Sequence, residues 1–211
     1  MVDILHQVEA CTGIKGINHV LIQHYRDGTD NIQQHSDKTL DINRETPILN
    51  VSFGVTREMF IQNKTDKLNI EKISLRHGEC VVFGIITNQY WLHEVPKDVQ
   101  LKPHPLFGKN RISFTFRRID TFVDEVSGVI YGQGSPYKTL AQALAADRSV
   151  GVSSPNIESS SSSSTSSLPP KPPLPEGNSS RAELIRAFHF ENRQAELFNW
   201  EEVYGCGFTV L

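Results

Sequence analysis

His35-Ser-Asp37, a distant His93 and the segment Arg111-Ile-Ser-Phe-Thr-Phe-Arg117 are the residues of this chain whose types and order could do chemistry. Two histidines and one carboxylate can fill one face of an octahedral iron(II) and leave the opposite face open. In an extended segment, residues i and i+2 point to the same side, so His35 and Asp37 can reach one metal together. The third donor must come from elsewhere. His93 lies in the strand-like run Tyr90-Trp-Leu-His-Glu-Val95, where a solvent-exposed histidine has little reason to be. Each part taken singly has a plainer reading. His-x-Asp pairs arise by chance, and a lone strand histidine is more often a hydrogen-bonded core residue.

The arginine segment supplies the other half. Period 2 puts Arg111, Ser113, Thr115 and Arg117 on one face, and Ile112, Phe114 and Phe116 on the other, where they are expected to fill the core. Burying a guanidinium is costly unless it is paired. At about 3.3 Å per residue the two arginines lie roughly 20 Å apart, too far to grip one carboxylate. One arrangement sets one arginine at the far carboxylate of an extended dicarboxylate. The other then sits near the metal, pairing with Asp37 and with the ligand's metal-bound carboxylate. The plainer alternative is two structural salt bridges inside a barrel. Gln23 and Tyr25 share a face and can line the same cavity.

These side chains need a rigid β-scaffold. Short runs rich in β-branched and aromatic residues predict strands at Val20–Tyr25, Ile48–Val55, Met59–Ile61, Ile70–Leu75, Cys80–Phe83, Tyr90–Glu94 and Ile112–Arg118. Arg26-Asp-Gly, Arg76-His-Gly-Glu and Phe107-Gly-Lys-Asn supply turns between several of them. Many short strands without a long intervening helix argue for an antiparallel sandwich or barrel such as a jelly roll. A short helix over residues 1–16, ending at Cys-Thr-Gly, precedes them. The predicted division is a barrel over 1–122, a helical extension over 123–152, a disordered Ser/Pro-rich linker over 153–179 and a C-terminal helical segment over 180–211. In that last segment Ser180-Arg-Ala-Glu183 is a capping box. Leu184, Ile185 and Phe188 form an apolar stripe, with Phe198, Trp200 and Tyr204 beyond it. So much aromatic surface is expected to dock on the core or on a partner.

The chain has 211 residues and a net charge of -3 at pH 7. Residues 1–122 carry 15 Lys and Arg against 14 Asp and Glu, and residues 123–211 carry 6 against 10. Neither part has the strongly basic footprint of an avid nucleic-acid binder. Cys11, Cys80 and Cys206 are too few and too scattered for a zinc cluster or disulfide framework. With no secretory leader evident, they favour a reducing compartment, so the chain is expected to be intracellular, in nucleus or cytoplasm. No apolar stretch approaches transmembrane length.

Asn18-His-Val-Leu-Ile-Gln-His-Tyr25, His35-Ser-Asp37, Pro47-Ile-Leu-Asn-Val-Ser-Phe-Gly54, His77-Gly-Glu-Cys-Val-Val-Phe-Gly84, His93 and Arg111–Arg117 together resemble the AlkB family of iron(II)/2-oxoglutarate dioxygenases. The resemblance covers about residues 2–119. It implies a mainly β fold, the double-stranded β-helix, with flanking helices. It implies iron(II) held by His35, Asp37 and His93, with no catalytic side chain beyond these ligands. It implies 2-oxoglutarate held at its far carboxylate by Tyr25 and Arg111, with Arg117 near its metal-bound end and O2 as co-substrate. Gln23 and Ser113 stand where the family usually has Asn, and both can hydrogen-bond the co-substrate.

The activity implied is oxidative removal of alkyl groups from nucleobases of DNA or RNA, a DNA-repair chemistry. Relative to the family the chain reads as N-terminally short, lacking the section that forms the nucleotide-recognition lid. Phe83, Tyr90 and Trp91 are candidate walls for a flipped base, although core roles are the plainer reading. Two other readings stand beside this one. The same chemistry could hydroxylate a protein or small molecule. Alternatively, a non-catalytic barrel could serve as a binding module, with Pro169–Pro175 as ligand for an SH3 or WW domain. For that proline run a stiff linker is the plainer reading.

Overall fold

Alternation along each strand decides which layer a residue joins. The structure, a computed structural model, describes residues 2–150, 181–194 and 198–209. Helix α1 (Val2–Thr12) leads into β1 (His19–Tyr25) and β2 (Ile32–His35). Then come β3 (Ile48–Gly54), β4 (Arg57–Asn63), β5 (Ile70–Leu75), β6 (Cys80–Phe83), the short helix α2 (Ile85–Tyr90), β7 (Trp91–Val95) and β8 (Arg111–Arg117). Two four-stranded antiparallel sheets result, one ordered β1-β8-β3-β6 and the other β2-β7-β4-β5. They face each other as a double-stranded β-helix.

The core between the sheets contains Tyr25, Ile42, Ile48, Met59, Ile61, Leu75, Phe83 and Val95. A second core lies on the outer side of the first sheet, where α1 lays Val8 over Leu49, Val51 and Phe116. Strand β3 is therefore clamped on both faces: Ile48 points between the sheets and Leu49 points under the helix. Fully burying one such side chain is worth about 1.5–3 kcal/mol, so losing α1 would weaken the whole first sheet. Helix α1 stops at Gly13, whose φ of +73° permits its N–H to cap the Glu9 carbonyl.

Phe114 and Phe116 pack in this outer core and not between the sheets, and Ile112 is 38% exposed. Phe114 and Phe116 thus fill a core as expected of that face, and the expectation is corrected only for Ile112. Strand β2 had no sequence signal, because Ile32-Gln-Gln-His lacks β-branched alternation. Helix α2 fills the gap between the two predicted strands Cys80–Phe83 and Tyr90–Glu94 and takes in Tyr90.

Beyond β8, a small hairpin pairs β9 (Thr121–Val123) with β10 (Ile130–Gly132), followed by α3 (Leu140–Val150). Helices α4 (Arg181–Arg193) and α5 (Trp200–Tyr204) pack on the loop after β2, joining Leu184, Trp200, Tyr204 and Phe208 to Leu40. The buried side of α4 carries Leu184, Ala187, Phe188 and Glu191. Ile185, expected in the apolar stripe, is 46% exposed, because position 185 lies one residue off the 184-187-188-191 face. The Ser/Pro-rich linker and the Pro169–Pro175 run lie outside the described residues. No described helix is long and apolar enough to cross a membrane.

Candidate metal centre

Strands β2 and β7 pair antiparallel with His35 directly opposite His93 after a register shift between Ile32 and His35. Cross-strand partners share a face, so both imidazoles enter the space between the sheets, ring centroids 4.3 Å apart. Asp37 follows just past the end of β2. Its Oδ1 lies 3.7 Å from His35 Nε2 and 3.9 Å from His93 Nε2. The three residues offer ligand atoms that all fall within 4.8 Å of one another, as one metal ion requires.

The surroundings prepare each donor. His35 Nδ1 lies 2.7 Å from the Gln33 carbonyl, so it carries the proton there and leaves Nε2 with a free lone pair. Burial, and then the neighbouring His35, pushes the pKa of His93 down to about 4, so its ring is neutral at physiological pH. Its Nδ1 is buried without a hydrogen-bond partner among the described residues. Arg117 grips Asp37 Oδ2 with Nη2 at 2.7 Å and Nε at 3.1 Å. That leaves Oδ1 facing the histidines. Burial pushes the Asp37 pKa up, but the adjoining His35 ring and the Arg117 charge outweigh this and hold the carboxyl well below the usual range.

Asn88 on α2 clamps the Asp37 backbone. Asp37 N–H donates to Asn88 Oδ1 at 2.8 Å, and Asn88 Nδ2 donates to the Asp37 carbonyl at 2.8 Å. Nothing in the sequence marked Asn88, because a side chain that mimics a strand partner carries no spacing signal.

At the other end of the same cavity Arg111 is 1% exposed. Its Nη2 donates to Ser52 Oγ at 2.9 Å, with Ser113 Oγ at 3.4 Å and Asn50 Oδ1 at 3.5 Å. Nε and Nη1 have no partner, and among the described residues no carboxylate pairs with it. The guanidinium lies 4.9 Å from the Tyr25 ring centroid, and burial pushes the Tyr25 hydroxyl pKa up. A buried cation with two unused donors fits an anionic ligand, such as the far carboxylate of a dicarboxylate. Opposite Arg111 stands Gly54, φ +100°, where a Cβ would fall 2.2 Å from the Asn110 carbonyl. Only glycine lets the strands close at that point.

Gln23, Tyr25, Ser113 and Arg117 all line this cavity, together with the three candidate ligands. Asn50, missed in the sequence, lines it too and donates to Ser113 Oγ at 2.9 Å and Thr115 Oγ1 at 2.8 Å. Phe83 also borders the cavity, 5.1 Å from the His93 ring, whereas Tyr90 and Trp91 do not line it.

The profile of the 2OG-Fe(II) oxygenase superfamily matches residues 1–117. The chain belongs to the 2OG-Fe(II) oxygenase superfamily. It is 31% identical to bovine (Bos taurus) DNA oxidative demethylase ALKBH2 over 54% of this chain and 41% of that protein. It is 30% identical to human (Homo sapiens) alpha-ketoglutarate-dependent dioxygenase alkB homolog 3 over 54% of this chain and 40% of that protein. The chain thus spans about two fifths of the length of the curated relatives it matches. Among solved structures, one titled "The structure of OsALKBH1" gives a TM-score of 0.39 at 18% identity over 47% of each chain, a likeness too low to carry weight. The superfamily takes its name from iron(II) and 2-oxoglutarate, and the donor set and the unpartnered Arg111 of this chain fit both.

Proposed function

We propose that this oxygenase removes alkyl groups oxidatively from nucleobases of DNA or RNA, using iron(II) and 2-oxoglutarate. The observation that carries the chemistry is one cavity with the His35–Asp37–His93 donor set at one end and the unsatisfied Arg111 at the other. The nucleic-acid substrate is supported by the named activity of ALKBH2, which is a DNA oxidative demethylase.

In this reading His35 and His93 ligate through Nε2 and Asp37 through Oδ1. Arg117 holds the second Asp37 oxygen, so the carboxylate presents one donor and keeps its orientation. Arg111 and Tyr25 fix the far carboxylate of 2-oxoglutarate, with Gln23, Asn50 and Ser113 as polar lining. Those residues would hold 2-oxoglutarate in the same cavity as the His35–Asp37–His93 donor set. When bound, iron(II) supplies the oxidising chemistry, in which 2-oxoglutarate and O2 give succinate, carbon dioxide and one oxygen atom inserted into a substrate C–H bond. An N-methyl group hydroxylated there breaks down to the free amine and formaldehyde. The apolar walls, among them Ile48, Met59, Phe83 and Val95, restrict water around the reacting centre.

The reading places the protein in nucleus or cytoplasm, where the exposed unpaired Cys11, Cys80 and Cys206 stay reduced. An SH3- or WW-type partner at Pro169–Pro175 rests on the proline run alone. Succinate release measured across methylated DNA, methylated RNA and methylated peptide panels tests the substrate. Turnover with the nucleic acids supports the proposal. Turnover with peptides only would move the protein to the hydroxylase alternative.

A further inference from the structure

Asp37 stands outside every strand. The chain leaves the ladder at His35, so the segment that carries Asp37 must be held by something other than sheet hydrogen bonds. Asn88 holds one side of it. The other side is held by α4, which lies beyond residue 117, where the superfamily match ends.

Two adjacent α4 residues make the contact. Asn192 Oδ1 accepts from the Ser36 backbone N–H at 3.2 Å and from Ser36 Oγ at 3.0 Å, and it also receives the Lys38 amine. Ser36, between the two candidate ligands, is fully buried. Glu191 is 4% exposed and accepts from the Thr39 N–H at 3.0 Å, from the Thr39 hydroxyl and from Tyr204 O–H at 2.7 Å. Trp200 Nε1 donates to the Thr39 carbonyl at 3.1 Å. Backbone N–H groups at residues 36, 37 and 39 thus end on three side chains: Asn192, Asn88 and Glu191. Hydrogen bonds to N–H groups on both sides of Asp37 restrict the dihedrals that set where its carboxylate points.

A carboxylate and an amide are costly to bury, and an apolar helix face would dock as firmly for less desolvation. What the polar pair adds is directionality: each acceptor tolerates its donor only over a narrow distance and angle. We propose that Glu191 and Asn192 are positioning residues for the metal centre, so that the docked C-terminal segment sets the metal affinity of the site. The proposal rests on the iron-site reading above. It makes affinity a property of two parts of the chain more than 150 residues apart in sequence.

The test uses the full chain and Co(II) as a spectroscopic stand-in, read by its visible absorption. Asn192→Leu removes the acceptor at similar volume, and Asn192→Asp retains it. Asn192→Leu is expected to weaken Co(II) binding by up to about tenfold, the low end of the range for losing a group bonded directly to a ligand, because Asn192 acts one step removed through Ser36 and Lys38. Its spectrum should change too, while Asn192→Asp stays near the parent in both. A melting curve runs in parallel. Asn192→Leu with parental Co(II) affinity and spectrum overturns the proposal. So does a lowered melting temperature with unchanged affinity, which would show a purely structural role, and so do equal losses in both variants. Should the parent bind Co(II) no more tightly than His93→Ala, the iron-site reading itself fails, and this inference with it.

Discussion

His35 and His93 are direct cross-strand partners, set opposite each other where β2 meets β7 and tilted at 52° with centroids 4.3 Å apart. The ladder sets both side chains on one face of the sheet and so brings two nitrogen donors together. Asp37 then needs only the two residues after His35 to complete the set.

From that pairing, His93→Ala should lose iron(II) binding, and with it 2-oxoglutarate decarboxylation, while the barrel still folds. The ladder is made by backbone groups, and a single core truncation costs about 0.5–3 kcal/mol. Calorimetric titration with Mn(II), beside circular dichroism, checks both parts. Parental Mn(II) affinity in the variant would remove His93 from the site.

Arg111→Met should have opposite effects on the empty and the ligand-bound protein. The guanidinium has two unused buried donors, so an apolar replacement of similar length is expected to leave the ligand-free melting temperature unchanged or raise it. Affinity for 2-oxoglutarate should fall by about 1.5–3 kcal/mol, as a charge-assisted hydrogen bond is lost. Titration of the metal-bound 2-oxo acid absorption measures it. An unchanged affinity would rule Arg111 out as the carboxylate clamp.

Arg57 is fully buried and donates to the carbonyls of Asp27 at 3.1 Å, Asp30 at 3.0 Å and Pro96. It also lies 5.6 Å from the Tyr25 ring centroid. A lysine point charge cannot span three carbonyls set apart by a planar fork. Arg57→Lys is therefore expected to cost about 1–3 kcal/mol in urea unfolding, since buried carbonyls lose their donors. An unshifted urea midpoint would show that Arg57 is dispensable for this junction.

Tyr204 supplies a pH dependence. Its hydroxyl is buried and donates to Glu191, and burial first, then the Glu191 charge, pushes its pKa well above the normal value of 10.0. The folded state therefore retains a proton that the unfolded chain releases above about pH 10. Stability from this contact is fully present below that pH and declines as pH rises further. Tyrosinate absorbance should show Tyr204 ionising only on unfolding, with Tyr25 delayed as well because its hydroxyl is also buried. In Tyr204→Phe the part of the decline due to this contact should disappear, at a constant cost of about 1–3 kcal/mol for the lost donor to Glu191. Ionisation of every tyrosine near pH 10 in the folded protein would contradict this.

The chain's local patterns determined a good deal by themselves. The alternation of Arg111, Ser113, Thr115 and Arg117 is a property of consecutive residues, so a strand must place that set on one face. The i, i+2 spacing of His35 and Asp37 marked the pair, although Asp37 lies past the end of β2 and is oriented by Arg117 and Asn88. The β-rich core was legible for the same reason, except at β2 and α2, which are too short or too polar to impose a period. Only the tertiary structure decided what supports those faces. Asn50, Arg57, Asn88, Glu191 and Asn192 act through partners far away in sequence, as in Asn88, 51 positions after Asp37. A hydrogen bond formed across folded layers leaves no mark on spacing or composition. It also decided that Phe114 and Phe116 pack beneath α1 and that Ile185 faces water, because a helix or strand has an apolar face by sequence but acquires a buried one only from what packs against it.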